Sequence, residues 1–205
     1  MTSFFDRRSV AAVGLALTAV MSPHAPHGQT QSDATATADQ PEPRTVRMVD
    51  RFNYLAAFLN LAQGTVRMVV IVPTDVKSSQ AAVDSVTAVV RSIPSKRLRA
   101  YLIMRGGEMP IQAAVLAAHA TDPRFSCFWD STATVAGAWE SGTSVGAGVW
   151  LYDTSAKFAG APPPAALVVT TPARTPLDTS ALRREADALV RRLEAKIAHA
   201  SSGSE

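Results

Sequence analysis

A single cysteine, Cys127, occurs in the 205 residues, so no internal disulfide can form. The four histidines give no zinc-like spacing: His24 and His27 sit in a polar stretch, and His119 and His199 are isolated from other ligand types. No metal or other cofactor is expected. Long apolar runs are also missing. The uncharged stretch Val10 to Met21 has twelve residues. As a helix it rises about 18 Å, against a hydrocarbon core of about 30 Å, so no stable membrane span is expected. No cysteine lies near its end, which leaves a bacterial lipoprotein anchor without an attachment point. No aromatic residues interleave with the basic clusters Lys96-Arg97-Arg99, Arg183-Arg184 and Arg191-Arg192. With a net charge of only +3, these clusters read as solvated faces and not as a nucleic-acid surface.

What is present begins with an export signal. Arg7 and Arg8 precede the short apolar run, as in a secretory leader of the Sec or twin-arginine kind, and residues 1–22 are read as a signal peptide. Residues 23–44 are rich in His, Pro, Gln, Thr, Asp and Ala without apolar periodicity. Such a segment cannot bury enough surface to offset its ordering entropy, so it reads as a disordered spacer. Residues 45–200 are the expected folded domain and 201–205 a tail. A domain of that length buries roughly 70% of its unfolded-chain surface and needs no disulfide or metal. The expected location is the periplasm or the cell exterior.

Apolar residues from Val46 to Ala62 recur at helical spacing, and Gly64 stops the run. Val66 to Pro73 is β-branched and almost continuously apolar, as expected of a strand covered on both faces. A helix follows, with Val83, Val86, Val90 and Ile93 in its stripe and Pro94 at its end. Leu98 to Met104 reads as a strand, Glu108 to Ala120 as a helix and Phe125 to Asp130 as a short strand. Thr132 to Trp139 reads as a helical turn or two, and Val149 to Asp153 and Ala166 to Thr170 as strands. Leu182, Ala186, Leu189, Leu193 and Ile197 mark a last helix, capped by Asp178 or Thr179. A βαβ unit, an inserted segment and a final β-β-α describe a thioredoxin-like α/β fold, a central mixed sheet flanked by helices.

Short motifs agree with that outline. Pro73-Thr74-Asp75, Asp122-Pro123-Arg124, Phe128-Trp129-Asp130 and Val149-Trp150-Leu151-Tyr152 lie between Val66 and Asp153. In these the chain resembles a group of bacterial exported thioredoxin-like proteins, in which a Cys-x-x-Cys opens the helix after the Pro-Thr-Asp turn. The resemblance implies a dithiol at positions 76 and 79, where this chain has Val76-Lys77-Ser78-Ser79. Thiol–disulfide exchange needs a first thiolate, activated by the helix N-terminus, and a second thiol to resolve the mixed disulfide. Valine has no ionisable group and serine forms no disulfide, so both roles are vacant. The resemblance also implies a cis-proline before the facing strand, and Ser144-Val145-Gly146-Ala147-Gly148 contains no proline. The positions left at the helix start can bind an anion or carboxylate, or Asp75, Ser78 or Ser79 can simply cap it.

Two other chemistries have candidate residues in the sequence. Gly142-Thr143-Ser144-Val145-Gly146 has the Gly-x-Ser-x-Gly form, and Ser144, Asp178 and His199 follow the chain order of a hydrolase triad. A nucleophile elbow follows a strand and opens a helix, whereas this one leads into a strand. Cys127 lies between Ser126 and Phe128, either as a small buried hydrophobe or as the reactive thiol of a one-cysteine redox enzyme. Trp129, Trp139 and Trp150 are expected in the core, and Asp130 at a turn where it can orient a neighbouring loop. The favoured expectation is a non-catalytic binding or accessory module for a protein or peptide partner. Its groove would run from Ser78 to the loop Ser144–Gly148. A single-thiol enzyme is the alternative.

Overall fold

The computed structural model describes residues 44–74, 76–106, 110–140, 146–172 and 177–202. Its elements are β1 (Val46–Met48), α1 (Phe52–Leu61), β2 (Val66–Pro73), α2 (Val76–Ser92), β3 (Leu98–Arg105), α3 (Pro110–His119), β4 (Phe125–Asp130), β5 (Ala147–Tyr152), β6 (Leu167–Thr171) and α4 (Thr179–Ser202). A 3-10 turn occupies Ala136–Ala138. The expected leader and most of the spacer lie outside the described residues.

Strand β2 buries seven of its eight residues, which is possible only if both sides of the sheet are covered. Its even-numbered residues Val66, Met68, Val70 and Val72 pack with α2, α3 and α4 around Val83, Val86, Leu116, Leu182 and Ala186. Val69 and Ile71 turn to the opposite side and meet Leu55 and Leu59 of α1, Tyr101, Phe128, Trp139, Trp150 and Tyr152. The strand period of two therefore divides one strand between two cores.

The six strands run in the order β1-β4-β3-β2-β5-β6. β2, β3 and β4 are parallel, with Val66 opposite Leu98 and Ala100 opposite Phe125. β5 returns antiparallel to β2 with Ile71 opposite Gly148, and β6 is antiparallel to β5. A central βαβ unit, an inserted α3–β4 segment and a closing β5-β6-α4 make this a thioredoxin-like α/β fold, a mixed sheet of six strands with four helices.

The sequence pattern misleads at the start of the domain. Val46–Met48, expected as the first turn of a helix, is instead a strand parallel to β4, and the helix begins at Phe52. Val46 pairs with Cys127 and Met48 with Trp129, so the short strand satisfies backbone groups along an edge that β4 would otherwise expose. That demand is long-range, and helical periodicity in the local sequence carries no sign of it.

Two arginines fasten the connections. Arg67, the second residue of β2, is fully buried, and the Asp153 carboxylate acts on it electrostatically. Its guanidinium donates to the carbonyls of Leu59 (3.1 Å), Asp153 (2.7 Å) and Ala156 (2.8 Å), and lies over the Phe158 ring at 5.3 Å. It thus ties the end of α1 to the segment after β5, and burial holds its pKa below the ordinary arginine value. Arg124 donates to the carbonyls of Val90, Ile93 and Ser95 at the end of α2, and to the Asp122 carboxylate. The Arg124 hydrogen bond holds the Asp122 carboxyl below its usual range. At the start of α4, Asp178 is the cap: its carboxylate accepts from the N–H groups of Ser180 (3.0 Å) and Ala181 (3.4 Å).

Replacing Arg67 by methionine keeps the volume but leaves three interior carbonyls without their donor. The expected loss is about 2–5 kcal/mol, read as a lower urea midpoint. An unchanged midpoint would show that the segment after β5 is held by other means.

Candidate functional site

The parallel strands β2, β3 and β4 end together, and α2 starts from that end of the sheet. In α/β sheets this carboxyl edge is where ligands gather, because loops and helix N-termini meet there. Pro73 lies opposite Arg105, and Arg105 opposite Asp130. The Thr74 N–H donates to the Arg105 carbonyl at 3.1 Å, and the Gly106 N–H to the Asp130 carbonyl at 2.8 Å.

Val76 is the first residue of α2, so positions 76–79 do form its opening turn. Lys77 is exposed, Ser78 half-buried and Ser79 buried. The Ser79 hydroxyl donates back to the Pro73 carbonyl at 2.6 Å. The Ser79 hydroxyl thereby locks the strand-to-helix turn. Asp75 lies outside the described residues.

The facing loop is described from Gly146 onward, and Ser144 and Val145 lie outside the described residues. Ile71 is paired with Gly148, so Pro73 and Gly146 sit two residues further along at the same end of the sheet. Gly146 donates its N–H to Thr171 at 2.9 Å, and no cis peptide occurs among the described residues. At Gly148 a Cβ would lie 2.3 Å from Cη2 of Trp150, because the indole folds across the backbone there. Glycine is what allows that ring to close the second core at its upper end.

Two residues at this edge went unnoticed in the sequence. Arg105 and Glu140 form an ion pair at 2.8 Å, with side chains 19% and 11% exposed. Burial raises the Glu140 carboxyl above its ordinary value, against the opposing pull of Arg105. The one available signal was a charge at the end of an apolar strand. Asp130 is fully buried, accepting from the Ala136 N–H at 2.8 Å and the Thr132 hydroxyl at 3.3 Å. It orients the segment from 131 to 136, as the sequence suggested. The tryptophans divide: Trp139 and Trp150 are buried and Trp129 is half-buried. The Trp139 indole N–H donates to the Tyr152 hydroxyl at 2.8 Å, and burial pushes that phenol up to about 12.

The other candidate chemistries separate in space. Cys127 is only 2% exposed and lies among Val46, Leu102 and the helices of the first core. Desolvation pushes its thiol up to about 11, so it carries almost no thiolate at neutral pH. Asp178 and His199 occupy opposite ends of α4, about 30 Å apart along the helix axis, which breaks the hydrolase triad. Among the described residues no three His, Cys, Asp or Glu side chains gather to hold a metal.

No protein-family model and no curated protein matches the chain. Several solved structures are similar in shape. A secreted Mycobacterium tuberculosis disulfide oxidoreductase homologous to E. coli DsbE shares 14% identity over 63% of this chain and 85% of its own, with TM-score 0.44. A thiol:disulfide interchange protein of the thioredoxin family from Chlorobium tepidum shares 12% over 63% and 82%, with TM-score 0.45. A yeast mitochondrial 1-Cys peroxiredoxin shares 15% over 64% and 67%, with TM-score 0.48. The fold assignment rests on the strand order and connections described above.

The thiol position makes a measurable prediction. Cys127 in the folded protein should react with an aromatic disulfide at neutral pH at least ~10²-fold more slowly than in denaturant, as expected for a thiol that burial pushes up to about 11 and shields from solvent. Because the folded pKa exceeds the unfolded one, the stability linked to this thiol is complete below about pH 9 and is lost as pH rises towards about 11. Equal rates in the folded and unfolded chain would contradict the burial.

Proposed function

We propose that the chain is an exported thioredoxin-fold protein without the redox dithiol, acting as a non-catalytic binding or accessory module for a protein or peptide partner. The observation that carries this reading is the opening turn of α2, where Val76, Lys77, Ser78 and Ser79 stand and the Ser79 hydroxyl is engaged by Pro73. A two-electron exchange needs two sulfurs there, one to attack and one to resolve, and the turn supplies neither. Burial of Cys127 weighs against a single-thiol enzyme.

Recognition in this reading falls to the carboxyl edge of the sheet. The first turn of α2 contributes Lys77 and Ser78, and half-buried Gly146 stands just before β5 at the same end of the sheet. Export would follow from the leader at residues 1–22, by the Sec or twin-arginine route, with 23–44 as a spacer before the domain. Among the described residues no helix is long and apolar enough to cross a membrane.

Insulin disulfide reduction tests the proposal. The wild-type chain should show no turnover above the uncatalysed rate. The double variant Val76→Cys/Ser79→Cys should gain a reducible disulfide, since the two positions are three residues apart at a helix start. Turnover by the wild type would overturn the reading.

A further inference from the structure

The last helix carries unpaired positive charge on one face. Arg183, Arg184, Asp187 and Arg191 follow one another at steps of one, three and four, which sets them on a single stripe of α4. Across from them stand Ser92, Ile93 and Pro94 at the end of α2, and the two walls enclose a cleft of about 490 Å³. That volume suits a small molecule. The opening turn of α2 does not line it.

The acidic side chains of α4 are already engaged. Asp187 pairs with Arg191 at 2.9 Å, Glu185 with Arg192 at 3.0 Å, and Glu194 accepts from the Ser95 hydroxyl at 2.6 Å. Asp178 is held by the N–H groups that it caps. Among the described residues no carboxylate pairs with Arg183 or Arg184. The opposite wall lacks the negative character of a bare helix C-terminus. There the carbonyls of Val90 and Ile93 accept from Arg124, and that of Val89 from the Ser92 hydroxyl. Three guanidinium groups and one carboxylate therefore line the cleft, a surplus of two positive charges.

We propose that this cleft binds a small, multiply charged anion built on linked phosphate groups, of the pyrophosphate type. A single carboxylate would balance only part of the surplus charge. A guanidinium fork matches two phosphate oxygens at once, which an ammonium does not. Arg184 and Arg191 are about 10 Å apart along the helix axis, a spacing that two linked phosphates match better than one. Asp187 holds Arg191 through Nε, which leaves the other guanidinium nitrogens to donate to the ligand. All three arginines are exposed, so the ligand exchanges freely with solvent and its affinity falls with salt.

Titration of the intact folded chain with inorganic pyrophosphate in roughly 0.15 M salt, followed by amide chemical shifts, is the test. The shifts should saturate with a dissociation constant of roughly 0.1–5 mM and centre on the two walls, the end of α2 and the stripe from Arg183 to Arg191. Arg183→Gln/Arg184→Gln alters two exposed positions. It should keep the wild-type circular dichroism and urea midpoint while raising the dissociation constant at least ~10-fold, because hydrogen bonds to charged groups are the strong ones. Lys157→Gln/Lys196→Gln removes the same charge from exposed positions outside the cleft, and should change the constant by less than about twofold. Shifts that do not saturate by ~20 mM pyrophosphate overturn the proposal. So do equal losses in the two double variants, which would mark a diffuse attraction to the whole basic chain. Shifts centred on another face, or binding to vesicles of anionic phospholipid without any response to pyrophosphate, overturn it as well.

Discussion

A central strand that is apolar on both sides dictates this architecture. β2 offers Val66, Met68, Val70 and Val72 to one side and Val69 and Ile71 to the other, so neither side can face water. Helices α2, α3 and α4 cover the first side, and α1 with the 3-10 turn and the segment after β5 covers the second. The direct link from β2 into α2 then brings the start of that helix to the carboxyl edge of the sheet. The candidate site is a consequence of covering the sheet twice.

The second side is held by polar anchors more than the first. Arg67 is the one charged residue inside β2, and it is tolerated because three carbonyls receive its protons and the Phe158 ring lies against it. Asp130 does similar work at the end of β4, where its carboxylate organises the segment leading to Trp139. Trp139 in turn donates to Tyr152, and Trp150 lies across Gly148. Aromatic rings with single polar contacts thus replace a packed helix over part of the sheet.

Much of this was legible in the sequence because strong local patterns agreed with the final packing. The run from Val66 to Pro73, the stripe of α2 and the steps of Leu182, Ala186 and Leu189 in α4 each match their observed burial. What was not legible depends on distant partners. Val46–Met48 becomes a strand only because β4 needs a neighbour. Arg124 enters the sequence only within the Asp122-Pro123-Arg124 motif, yet its guanidinium donates to three carbonyls at the end of α2. The Arg105–Glu140 pair joins residues 35 positions apart, with no motif to announce it. The sequence leaves Asp75, Ser78 and Ser79 as alternative caps of α2. The direction of the Ser79 hydroxyl depends on the Pro73 carbonyl, which only the folded turn brings within 2.6 Å.

The functional argument reduces to where sulfur sits. The strand-to-helix turn has none among Val76 to Ser79, and the lone thiol lies in the first core with its pKa near 11. Equilibrating the folded protein in buffers from fully reduced to fully oxidised glutathione, then reading its intact mass, measures this directly. The account predicts one unmodified mass across the whole series. A glutathione adduct on Cys127 that appears and disappears with the buffer potential, while the fold stays intact, would contradict it.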